Sequence, residues 1–142
     1  MVTINTYINY NGNAEEAFTF YKSVFGGEFA MVQRFKDTPE SDKLSAEDRE
    51  KIMHIALPIG NDVLMATDAV ESMGHKLEEG NNFHLTISPD SKEEAARLFN
   101  GLSAGGTVTM PLQDTFWGAY FGMLKDKFGI QWMVNYDQAV AQ

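Results

Sequence analysis

The feature that most constrains this chain is that it repeats itself. Glu15-Glu16-Ala17 recurs as Glu93-Glu94-Ala95, 78 residues later, and Phe20-Tyr21 then aligns with Leu98-Phe99. Gly26-Gly27 recurs as Gly105-Gly106, and Met31 as Met110, both 79 residues later. Such a period is too long for a solenoid, whose repeats run about 20–50 residues. It fits two copies of one module within 142 residues. Half a chain of that length gives only a marginal core on its own, so the two copies are expected to form one domain.

Hydrophobic spacing supplies the contents of each copy. Residues 2–10 alternate, with Val2, Ile4, Ile8 and Tyr10 on one face and Asn5, Tyr7 and Asn9 on the other, which predicts a strand. Asn11-Gly12 supplies a turn. Asn13, with Glu16 three residues on, predicts a capping box; Ala14, Ala17, Phe18, Tyr21 and Phe25 then fall at helical spacing, and Gly26-Gly27 ends the helix. Strands are predicted at 28–35, 52–59 and 62–67, with a helical turn at 45–48 in the polar stretch. After a loop at 70–82 the order repeats: a strand at 83–88, a capping box of Ser91 and Glu94, and a helix carrying Ala95, Leu98, Phe99 and Leu102. Strands at 107–112, 115–124 and 130–135 complete it, with a turn at 125–129. The expected fold class is therefore α+β, two βαβββ modules at about 1–69 and 83–142.

A helix covers one face of such a sheet and leaves the other in need of a partner. Two curved sheets facing each other would enclose a cup. Alternation assigns Asn5, Tyr7, His54, Met65, His84, Gln131 and Met133 to that second face. The same alternation groups Met53 with Ile55 and Leu57 toward the helix, and Phe83 with Leu85 and Ile87. Trp117 and Phe121 share a parity and offer rings to an aromatic ligand or to the core. A solvent-facing sheet would carry more Lys and Glu; a mixed polar and methionine face suits a small-molecule pocket.

Composition removes whole classes of function. A formal charge of −9 argues against nucleic acid and against anionic lipid, both of which call for clustered Lys and Arg. The absence of cysteine excludes disulfide scaffolds, thiolate metal sites and cysteine nucleophiles. No basic-then-apolar leader and no run of about 20 apolar residues are present, so the expected home is the cytoplasm and no membrane partner is expected. No P-loop, dinucleotide fingerprint, His-Glu-x-x-His helix or nucleophile elbow occurs.

Residues 7–17, Tyr-Ile-Asn-Tyr-Asn-Gly-Asn-Ala-Glu-Glu-Ala, followed by Phe20-Tyr21 and Val24-Phe25-Gly26-Gly27-Glu28, resemble the N-terminal signature of PhnB-like proteins. Phe116-Trp117-Gly118, Gly122, Asp126-Lys127-Phe128-Gly129 and Trp132 resemble the same family, as do Met53-His54-Ile55, Leu64-Met65 and Asp68. These proteins belong to the vicinal oxygen chelate superfamily, with glyoxalase I, bleomycin-resistance proteins and extradiol dioxygenases. The resemblance implies paired βαβββ modules around a cup, usually in a homodimer. It also implies, for metal-dependent members, a divalent ion held by His or Glu of the first and fourth strands of each module. Carried onto this chain, those positions are Asn5, Met65, His84 and Met133. Only His84 is a good ligand there, because thioethers are too soft for hard divalent ions and a lone amide is weak. No metal and no other cofactor is expected.

Two functions remain open from the sequence. One is a small-molecule-binding protein with a metal-free cup. The other is an enzyme of the superfamily: a metal-dependent lyase or isomerase, a dioxygenase-like member, or a metal-free variant with His84 as base. His84 and His54 read either as groups that bind ligand or as buried histidines satisfied by carbonyls. His75 sits in a polar loop and reads as a solvated residue. Asp68 reads as an acid beside the cup or as a cap. Some relatives carry a ubiquinone-pathway methyltransferase label, but no methyl-donor motif is visible here.

Overall fold

A computed structural model describes residues 2–39 and 41–138. The chain divides into two compact units, Met1–Glu79 and Gly80–Gln142. The first contains β1 (Thr6–Tyr10), α1 (Ala14–Phe25), β2 (Met31–Arg34), the short α2 (Ala46–Glu50), β3 (Ile52–Ile59) and β4 (Asp62–Asp68). The second contains β5 (Leu85–Ile87), α3 (Lys92–Ser103), β6 (Thr107–Asp114), β7 (Ala119–Lys125) and β8 (Gln131–Asp137). The two sheets have the orders β1-β4-β3-β2 and β5-β8-β7-β6. In each, the first strand runs parallel to the fourth and the other neighbours are antiparallel. The repeated words of the sequence thus mark a repeated topology, and the fold class is α+β as expected.

Each helix covers one face of its own sheet. In the first unit Ala17, Phe18, Tyr21 and Val24 of α1 are buried, as are Ile8, Ile52, Ile55, Leu57, Leu64 and Ala66 of the strands. The Tyr10 hydroxyl donates to the Tyr21 hydroxyl at 3.1 Å. In the second, Ala95, Leu98, Phe99 and Leu102 of α3 are buried, with Leu124, Trp132 and Val134 of the sheet. Burying each large side chain is worth about 1.5–3 kcal/mol. Gly122 lets the layers close: a Cβ there would lie 2.7 Å from Phe99 and 2.9 Å from the Leu112 backbone.

Several sequence expectations are corrected. β1 starts at Thr6, not at residue 2, and Val2 and Ile4 are 90% and 92% exposed. Thr6 already pairs with Leu64, so β4 has only Asp62 and Val63 left to continue the ladder. Alternation fixes a residue's face, not the presence of a neighbouring strand. β2 is confined to Met31–Arg34. A bulge opposite Gln33 and Arg34 pairs Arg34 with Ile52, so Ile52 rather than Met53 joins Ile55 and Leu57 under the helix. β5 is cut to three residues and Phe83 is exposed; the Gln131 side chain takes the Phe83 carbonyl at 2.6 Å in place of a ladder bond. β7 begins at Ala119, because Thr115 to Gly118 form the turn into it, with the Thr115 N–H on the Ala119 carbonyl at 2.8 Å. Trp117 therefore owes its position to a turn and not to strand parity.

Ser91 caps α3 as expected, its hydroxyl accepting from the Glu94 N–H at 3.1 Å. Asn13 makes no such bond, since its φ of −118° and ψ of 24° lie outside the extended region that capping needs. The first helical N–H, that of Ala14, instead donates to Asp68 at 2.9 Å.

Candidate functional site

The faces left uncovered by α1 and α3 carry most of the expected site residues. On the first sheet, register places Tyr7 beside Met65, Met65 beside Ala56, and Ala56 beside Met31. The next row holds Asn9 and Thr67, and Gln33 paired with His54. Pro58 and Val63 form a further pair on that face. None of these residues is charged. The Tyr7 and His54 rings meet above β4, centroids 5.8 Å apart. His54, Met65 and Thr67 are half-buried, and Tyr7 is exposed.

On the second sheet, Met110 pairs with Met123, Met123 with Met133, and Met133 with Thr86. The Thr86 hydroxyl lies 3.7 Å from the Met133 sulfur. Phe121 and Asn135 form the adjacent row, and Gln131 pairs with Lys125 at one end. The charges of this face, Lys125 and Asp137, stand at its two ends. The Phe121 ring contacts Trp117 at 6.1 Å, and Trp117 meets Phe116 at 4.9 Å.

The stronger ion pairs lie elsewhere. Arg34 reaches Glu15 at 2.7 Å, and that hydrogen bond raises its pKa. Lys92 of α3 reaches Asp114 at 2.9 Å, raising the lysine and lowering the aspartate. Asp68 is spent on structure: its two oxygens accept from the Ala14 and Ile52 N–H groups at 2.9 and 2.8 Å. Asp126 plays a similar part in the second unit, accepting from Phe128, Ile130 and the Trp132 indole.

The expected site residues fall into three groups. Tyr7, His54 and Met65 are brought together on the first sheet; Phe121, Gln131 and Met133 share the second, with Trp117 against Phe121. His84 is half-buried one residue before β5, and Asn5 is exposed ahead of β1. Asn9, Thr67, Gln33, Met110, Met123 and Asn135 join these faces without having been singled out. Alternation already put Asn9 on the open face, whereas Gln33 and Met110 sit beside irregularities in pairing that alternation does not show.

The implied metal can be tested against these donors. The open-face partners of Met65 and Met133 are Tyr7 and Thr86, not Asn5 and His84. Within each unit the pair is thus one thioether and one neutral hydroxyl or phenol, with no carboxylate or imidazole, a weak donor set for a hard divalent ion. Among the described residues no three His, Cys, Asp or Glu side chains converge.

A family model described as 3-demethylubiquinone-9 3-methyltransferase matches residues 2–135. The chain belongs to this family, that of the PhnB-like proteins. Among its relatives, the Escherichia coli protein YjdN is 32% identical over 140 residues, covering 93% of each chain. The crystal structure of PA1353 from Pseudomonas aeruginosa matches with a TM-score of 0.85 and 41% identity, over 97% of this chain and 99% of that one. A Bacillus cereus PhnB protein, described as a putative 3-demethylubiquinone-9 3-methyltransferase, matches at TM-score 0.75 and 25% identity, over 95% and 99% of the two chains. The PhnB-like signature now has a physical reading. Its Asp68 and its Asp126-Lys127-Phe128-Gly129 turn hold the helix start and the β8 entry, and so serve the fold.

Proposed function

We propose that this PhnB-like protein binds a small organic molecule on the open faces of its sheets, without a divalent metal. One observation carries the reading. The ten open-face residues of the first sheet include no Asp, Glu, Lys or Arg, in a chain that is 22% charged. A face meant for water would not be stripped of charge. Neutral hydrogen-bonding groups such as Asn9, Gln33, His54 and Thr67 supply orientation, and Met65 and Tyr7 supply apolar contact. The reading includes a homodimer in the cytoplasm, checked by light scattering after size exclusion.

The test is a thermal-shift screen of tag-free protein against diverse metabolites and antibiotics, with His54→Gln and His84→Ala run beside it. Hits are expected to shift the wild type and to lose most of their effect in His54→Gln. An unchanged response in both variants would contradict the site assignment. A stoichiometric divalent ion that survives dialysis would contradict the metal-free reading.

A further inference from the structure

The second sheet says more about what it receives, and this rests on the ligand-binding reading above. Met110, Met123 and Met133 lie in one lateral row across β6, β7 and β8. The side chains of these strands that point to α3 are of another kind, Leu124, Trp132 and Val134. Methionine is therefore concentrated on one face rather than scattered through the core. Strands lie about 4.8 Å apart, so the row is about 10 Å wide, enough to support a flat fused-ring system. Thioethers are polarizable, conform to flat surfaces and make favourable contacts with aromatic rings. Phe121 continues the strip along β7, and its ring meets Trp117 edge to face at 6.1 Å and 66°, the arrangement that aromatic quadrupoles favour.

Charge narrows the choice further. Lys125 and Asp137 stand at opposite ends of the face, and the methionine row itself carries no ionisable group. A charged group held over the row would lose its hydration with no counter-charge to replace it. We infer that this row is the seat of an uncharged, planar aromatic ring system, with Phe121 and Trp117 at its border.

The test uses the full chain with its methionine methyls labelled with ¹³C, titrated by NMR with three probes of one size. These are 2-naphthol (uncharged, planar), 2-naphthoate (planar, anionic) and a decahydro-2-naphthol (uncharged, saturated). With 2-naphthol, ring currents are expected to move the Met110, Met123 and Met133 methyls and to leave Met73 in place. Binding is expected to be about ten-fold weaker for the saturated alcohol and weaker still for the anion. Met123→Leu with Met133→Leu, which conserves volume, should weaken 2-naphthol about three-fold without lowering the melting temperature appreciably. Equal or tighter binding of the saturated or anionic probe would overturn the inference and leave small-molecule binding standing. No methyl shift with any probe would also overturn it; hits of other chemistry in the thermal-shift screen would then show that the broader reading survives.

Discussion

At the scale of the residue, two aspartates show how a side chain can look functional and be structural. Asp68 is a buried acid at the end of an apolar strand, a pattern that in another fold would suggest catalysis. Here it holds the first N–H of α1 and the N–H that opens β3. Asp68→Ala would leave two donors without an acceptor in a buried place, at a cost of about 3 kcal/mol. Urea unfolding should show that loss, with a smaller one for Asp68→Asn, which keeps one acceptor. Asp48 makes a different prediction. Its hydrogen bond from Lys51, at 2.9 Å, holds its carboxyl below the usual carboxylate range and raises the lysine. A depressed folded pKa adds stability above the unfolded value of about 3.9, lost as pH falls through the folded value. The melting-temperature gap between wild type and Asp48→Asn should therefore be full at neutral pH and close progressively below about pH 4. A gap independent of pH would show that the pair contributes nothing.

At the scale of the element, the sequence was most legible where a pattern is local. The spacing of Ala95, Leu98, Phe99 and Leu102 locates α3, and Ser91 marks its start because capping involves residues three apart. β3, predicted at 52–59, was readable for the same reason. Strand ends were not, because a strand stops where its neighbour does. Nothing in Val2-Thr3-Ile4-Asn5 reports that β4 is nearly used up at Leu64. The α1 cap was also hidden, since its acceptor lies 54 residues away. Gly122 tests how closely the elements pack. Gly122→Ala would push a methyl into Phe99 and into the β6 backbone, destabilising by about 1–3 kcal/mol. Hydrogen exchange should then show faster opening of β6 amides than of β3 amides. Equal effects on both sheets would mean that the two units unfold only together.

At the scale of the whole molecule, the duplication explains both what could be read and what could not. A module that leaves one face of its sheet uncovered must present that face to something, and the repeated order of one helix and four strands made this legible in the sequence. The residues on the face were half legible. Tyr7, His54, Met65, Gln131 and Met133 follow from alternation, whereas Met110 and Gln33 sit beside irregularities in pairing that alternation does not foresee. The metal positions that the resemblance implies shift in register: Met65 lies beside Tyr7 and Met133 beside Thr86, rather than beside Asn5 and His84. Small-molecule binding without a divalent ion, as proposed, rests on methionine-bearing faces whose charges are confined to the ends of the second sheet. The most direct measurement is the ¹³C-methyl methionine spectrum of tag-free protein, titrated with a thermal-shift hit in the presence and absence of EDTA. The account predicts shifts at Met65 or Met133, none at the exposed Met73, and the same affinity with and without chelator. Shifts confined to Met73, or binding that EDTA abolishes and Mn²⁺ restores, would contradict it.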